Sequence, residues 1–268
     1  MPEDNTTKPA LFNLPEIPES VDNAVKNLTD YPTLNIGKTF GDLWFLVFGG
    51  ISHKADLRKI QYAADLEKYQ TELDNAISSI PKEKQIEPSI QVTAQALENS
   101  KYCVSSEILR QMFVRLISGT MHKDIEPRVH PSFPETLKQL SESDAILLKY
   151  ISSSRSLPIV NMSIRDEKGN SRTMYYNFFI PSSFNADHKV CSLSISALQR
   201  FGLIEVRYDQ QISTSTFYEK YKQTEEYAIL KATLPRIDEI EKCKHSIHLE
   251  RGILRLTELG KSFIEVCV

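Results

Sequence analysis

Nine consecutive residues, Leu43 to Ile51, carry no polar side chain and include the only tryptophan, Trp44. They close the stretch Gly37–Ile51, GKTFGDLWFLVFGGI, which runs into a charged segment from Lys54 to Ile80. That much apolar surface has to leave water. It can do so in a core, in a partner or on a membrane surface, and the choice among them decides what kind of protein this is. A spanning helix needs roughly 18 apolar residues, so the block is too short to cross a bilayer. The pattern predicts a helix ended by Gly49-Gly50 and packed against the long helix that follows. If its face is instead offered to a partner or a membrane, the contact residues are Leu43, Trp44, Phe45 and Phe48.

At 268 residues, with 41% hydrophobic and 25% charged side chains, the chain can bury a proper core. A net charge of -3 supplies no global basic field for nucleic acid. Cys103, Cys191, Cys243 and Cys267 show no paired spacing, which predicts reduced intracellular thiols. The N-terminus, MPEDNTTKPALFNLPEIPES, is acidic and proline-rich, unlike a secretory signal. A cytoplasmic location is the expectation.

Three regions follow from the pattern. Residues 1–34 read as a flexible tail with one short helix, capped by Ser20 and stopped by Pro32. Residues 35–140 read as helical. Leu57, Ile60, Ala64, Tyr69, Leu73, Ile77 and Ile80 make the inner face of one long helix ended by Pro81. Ile90, Ala94 and Leu97 mark a second. Leu109, Met112, Phe113, Leu116 and Ile117 mark a third, with Ser105 and Glu107 at its start. Residues 141–268 read as a winged-helix-like α+β domain. Ser141–Asp144 is a capping box for a helix through Ile151. Residues 159–164 and 173–180 form a hairpin, 193–201 a helix closed by Gly202, and 203–208 a strand. A helix over 213–231, a strand over 245–256 and a helix over 257–266 complete the chain. The fold class is therefore α+β.

Motifs with chemical potential are few. Gly37-Lys38-Thr39 lacks the earlier glycine of a phosphate loop, where Pro32 stands without an N–H. Cys243, His245 and His248 could offer metal ligands, but on a strand His248 points away from the other two. No second cluster completes a tetrahedron, so these read as edge-strand residues and no metal or cofactor is assigned. No histidine sits beside a serine or cysteine in a nucleophile context, and no catalytic residue is assigned. The order of helix, Gly202-Leu-Ile and strand, with the later Leu256-Thr257-x-x-Gly260-x-x-Phe263, resembles winged-helix domains. The helix that would read DNA carries Arg200 as its only cation, with Lys189 just before it, which is thin for phosphate contact.

Four stretches resemble the abortive-infection alpha domain family of bacteria: Ile36–Ile51, Ala96–Tyr102, Glu107–Ile117 and His130–Asp144. The most specific is His130-Pro131-Ser132-Phe133. Its residues are explained without catalysis, with Pro131 at a helix start, Ser132 taking free N–H groups and Phe133 as anchor. The resemblance implies a bacterial cytoplasmic protein tied to defence against phage. The expected function is non-enzymatic, exercised through a protein partner, a homo-oligomer or a peripheral membrane contact. Its candidate contact residues are Leu43, Trp44, Phe45, Phe48, His130, Phe133 and Arg200. The alternative is a winged-helix DNA-binding regulator.

Overall fold

The computed structural model describes residues 36–48, 57–181 and 187–268. The tail, the two glycines after Phe48 and the start of the long helix expected from Lys54 fall outside them. The elements are helices α1 (Ile36–Phe48), α2 (Leu57–Ser78), α3 (Ile90–Ser100), α4 (Glu107–Gly119), α5 (Phe133–Gln139) and α6 (Glu142–Ser152). Strands β1 (Leu157–Asp166) and β2 (Ser171–Phe178) follow, then α7 (His188–Arg200), β3 (Ile204–Arg207) and the short α8 (Thr216–Glu219). The chain closes with α9 (Glu225–Glu241), β4 (His245–Leu256) and α10 (Glu258–Cys267). The α+β class is what the structure shows.

Helical phase decides which residues the first helices bury. In α1, Phe40, Trp44, Val47 and Phe48 are buried while Leu46 is 79% exposed. Trp44 lies 4.4 Å from Phe48 and 5.8 Å from Tyr69 of α2, ring centre to ring centre. The apolar block thus packs on the long helix after it. In α2 the inner face is Leu66, Tyr69, Leu73 and Ile77, and Ile80 just beyond its end is buried too. Ala64, expected inside, is exposed, because Leu66 continues the three- and four-residue rhythm toward Tyr69. In α3 the inner face turns to Val92, Thr93, Ala96 and Leu97, leaving Ile90 58% exposed at the first helical position. The predicted face of α4 is buried throughout, although Ser106 rather than Ser105 stands at its N-cap.

The capping box is present as read: Ser141 Oγ accepts from the Asp144 N–H, and the Asp144 carboxylate accepts from the Ser141 N–H. The helix behind it buries Ala145, Leu147, Leu148 and Ile151.

The four strands form one antiparallel sheet in the order β2-β1-β4-β3. Strand β1 is buried along most of its length, and β2 alternates. A central strand covered on both faces has that continuous burial; a strand covered on one face alternates. On one face Ile159, Leu254 and Ile204 join a core that continues through the helices to Phe40 and Trp44. On the other, Val160, Met162, Ile164 and Phe178 pack under Tyr218, Tyr221 and Leu230. Those three come from the insert between β3 and β4, which therefore gives the sheet a second cover. Its buried tyrosines are fixed by their hydroxyls, Tyr218 donating to Gly252 O and Tyr221 to Pro158 O. The helix expected to stop near Lys231 runs on through Pro235 to Glu241, held by Leu234 and Ile237 against the second core.

Candidate interaction site

Among the described residues β2 is one of the two edge strands of the sheet, the other being β3; it pairs with β1 alone, and α7 packs next to it. Asp187 caps α7 by accepting from the Lys189 N–H, which starts the helix five residues earlier than its sequence pattern predicts. Cys191, Ser194, Ile195 and Leu198 turn inward. That leaves Val190 42% and Leu193 71% exposed on the outer side. The neighbouring strand adds Met174, 42% exposed, and Tyr176, 66% exposed. The two elements are tied together where Ser192 Oγ donates to Tyr176 O at 2.9 Å.

A buried polar network shapes this edge. Asn177 takes φ 47, the left-handed region that an asparagine tolerates better than most residues. Opposite it the β1–β2 register is interrupted on both sides of Met162. Asn161 Oδ1 accepts the Asn177 N–H at 2.9 Å and lies 2.8 Å from the Tyr208 hydroxyl. Asn161 Nδ2 donates to Glu250 at 2.8 Å. Burial and the Glu250 charge push the Tyr208 hydroxyl well above its ordinary pKa. The Tyr208 hydroxyl therefore keeps its proton and donates within the network that braces the bend. The register breaks between Tyr175 and Phe178, where Phe178 resumes pairing with Val160, and the Tyr176 ring lies outside.

Most polar side chains of α7 that could touch a phosphate or base are occupied; Lys189, which the structure places inside the helix, is exposed and has no side-chain partner among the described residues. Ser196 Oγ donates to Ser192 O and Ser192 Oγ to Tyr176 O. Gln199 accepts from Asn177. Arg200 donates to Gln139 Oε1 at 3.1 Å and lies over the Phe201 ring at 4.5 Å. Arg200 thus bridges α7 to α5.

The other candidate residues are placed as follows. Phe133 is fully buried, edge-on to Phe263 of α10 at 5.1 Å. His130 is exposed, its Nδ1 2.8 Å from Ser132 Oγ and 3.2 Å from Ser132 N. His130, rather than Ser132, takes the free N–H before α5, whose N-cap makes no side-chain bond. Leu43 is half-buried against the core, Trp44 and Phe48 are inside it, and the side chain of Phe45 lies outside the described residues. No helix among the described residues is long and apolar enough to cross a membrane. Tyr176 and Leu193 were not singled out by sequence. The available signal was two apolar residues, Val190 and Leu193, lying off the inner face of α7.

Two further places hold reactive side chains. A cleft of about 710 Å³ lies between the end of α6 and the start of α10. Its Arg255 is paired with Glu205 and its Lys261 with Glu258. Its Ser152 and Ser153 hydroxyls donate to Lys149 O and Tyr150 O. At the turn from α9 into β4, Glu241, Cys243 and His245 bring one ligand atom each to within 4.8 Å of one another.

Fold and edge together define an α+β protein whose helical half and small antiparallel sheet share one core and, among the described residues, leave β2 paired on one side only. The family model described as abortive infection alpha matches residues 61–267, and the chain belongs to that family. The match begins after the Gly37–Ile51 stretch, so the first of the four resembling segments lies outside it; the other three lie within. No curated protein sequence matches the chain. A solved structure of an uncharacterized protein from the hydrocarbon-degrading marine bacterium Alcanivorax borkumensis SK2 aligns at 16% identity and a TM-score of 0.32, covering 54% of this chain and 94% of that one.

Proposed function

We propose that this protein is a non-enzymatic component of an abortive-infection response to phage, working through a protein partner that docks on β2 and α7. The observation that carries the reading is exposed Tyr176 and Leu193 side by side on an edge strand that, among the described residues, pairs with β1 alone and on the helix beside it. A free edge offers unpaired N–H and C=O groups to an added strand. Large apolar side chains beside it supply the buried area that such contacts need. With most polar groups of α7 occupied and Lys189 its one cation without a partner among the described residues, a protein is favoured over nucleic acid as the partner. The run of α6, β1, α7, β3 and β4, with β4 between β1 and β3, supports a winged-helix-like module. In this reading the module carries an added edge strand and a helical insert, and it serves for packing and docking.

The test is plating efficiency of phage on cells expressing the wild type or the Tyr176→Asp/Leu193→Asp double variant. Both side chains are outside the core, so the variant keeps its circular dichroism and melting midpoint. Loss of protection with the fold intact is the expected result. Protection equal to wild type rules the surface out. Sedimentation of the purified chain then distinguishes a second copy from a different protein as partner.

A further inference from the structure

We propose that Glu241, Cys243 and His245 bind one zinc ion, with Asp238 as the positioning carboxylate behind the histidine. The site is built by a turn that sequence spacing alone does not show. Helix α9 ends at Glu241, and Lys242 takes φ 53 at its C-cap. This single left-handed residue reverses the chain into β4. The reversal folds the carboxylate of Glu241, the thiol of Cys243 and the imidazole of His245 onto one point.

Distances support coordination. His245 Nε2 lies 3.1 Å from Glu241 Oε2 and 3.7 Å from Cys243 Sγ. Zinc–sulfur bonds of about 2.3 Å and zinc–nitrogen or zinc–oxygen bonds of about 2.0–2.1 Å at tetrahedral angles place sulfur about 3.6 Å, and oxygen about 3.3 Å, from the nitrogen. Both spacings from the nitrogen therefore already stand close to what a tetrahedral ion requires, and the sulfur and oxygen lie within 4.8 Å of each other.

The histidine is also oriented. Asp238 Oδ1 lies 2.8 Å from His245 Nδ1 and 2.8 Å from the His245 backbone N–H. With Nδ1 held by Asp238, Nε2 is the ring atom aimed at Glu241 and Cys243, and a cation can take the place of a proton shared there. A carboxylate behind a metal-bound histidine fixes its tautomer and raises its basicity. The His245 side chain is only 5% exposed, so its aim is fixed by packing, while Glu241 at 45% leaves one side open to solvent. One nitrogen, one sulfur and one oxygen ligand suit zinc rather than magnesium or calcium. Water fills the fourth position, and the Cys243 thiol proton is released to solvent on binding.

The full chain, stripped of metal, is titrated with Co2+ as a spectroscopic probe. One equivalent is expected to give a near-ultraviolet thiolate-to-cobalt charge-transfer band that Zn2+ abolishes by displacement. Cys243→Ser removes the band, and Asp238→Asn weakens Co2+ binding by roughly 10- to 100-fold. His248→Ala, three residues along β4 and on its other face, keeps the band. No band with the wild type, or a band that survives Cys243→Ser in a folded protein, overturns the assignment. If Cys243→Ser does not fold, Glu241→Gln decides, since its exposed side chain carries no core packing; unchanged Co2+ affinity in that variant also overturns it.

Discussion

Gly260 lies so close to Leu203 that a Cβ on the glycine would stand 1.9 Å from the Leu203 carbonyl oxygen. The same carbonyl accepts the Thr257 N–H. The Thr257 hydroxyl in turn caps α10 by accepting from the Gly260 N–H and donates to Gly202 O. Gly202 has φ 69, which lets α7 end and β3 begin at once. The two glycine motifs read from sequence are thus two sides of one contact.

Gly260→Ala should accordingly destabilise the protein by at least about 3 kcal/mol, since the obstacle is backbone that cannot rotate away. Gly169, at φ 89 in the hairpin loop with nothing within 4 Å of a Cβ, gives the contrast. Its change to alanine should cost only about 1–2 kcal/mol of backbone strain. Urea midpoints of the two variants test the ordering, and equal losses would refute the contact.

Arg110 ties α4 to α2. Its side chain is 2% exposed, donates through Nε and Nη2 to both oxygens of Glu72 and through Nη1 to Val104 O. Removing Glu72 leaves a buried guanidinium without its charge partner. Glu72→Ala should cost about 3 kcal/mol, and Arg110→Lys should not restore a fork that needs planar geometry. Chemical denaturation measures both; a neutral Glu72→Ala would show the pair to be dispensable.

Trp44 and Leu46 sit two residues apart on one apolar helix with opposite fates. Trp44→Ala should lose about 3–5 kcal/mol through the emptied space beside Phe48 and Tyr69. Leu46→Ser should change stability by less than about 0.5 kcal/mol. Thermal melts separate these outcomes, and comparable losses would mean that the α1 packing is different.

Burial raises the Cys267 thiol well above its ordinary pKa, and burial likewise raises Cys103. A thiol kept neutral by the fold favours folding below the unfolded thiol pKa of about 8.5, and that advantage falls as pH rises past it. The buried hydroxyls of Tyr69 and Tyr221, also pushed upward by burial, act in the same direction at higher pH. The urea midpoint should therefore decline between pH 8 and roughly pH 10.5. In native protein at pH 8, Cys267 should resist a thiol reagent until the chain unfolds. Rapid labelling of Cys267, read by mass spectrometry, would contradict its burial.

Much of the helical half was legible because its signals are local. The capping box at Ser141, the buried face of α4 and the stop at Pro81 each depend on residues within a turn or two of one another. Errors there were errors of phase, as at Ala64 and Ile90, where one residue shifts a side chain by about 100° around the helix. Strand β4 was read with the bounds the structure gives it. Its partners were not, since pairing order is a matter of distant chain.

The sequence by itself determined the α+β class and most of the elements and their order, because periodicity and turn chemistry are written locally; that Trp44 is buried rather than offered to a partner was decided by the tertiary structure. Only the tertiary structure decided that the insert after β3 covers the second face of the sheet. It alone placed Tyr176 beside Leu193, and turned Asp238 and Glu241 toward His245. The reason is physical: those relationships depend on how close the backbones of separate elements can approach, and that is set by sheet order, by a left-handed Lys242 and by the missing side chain of Gly260.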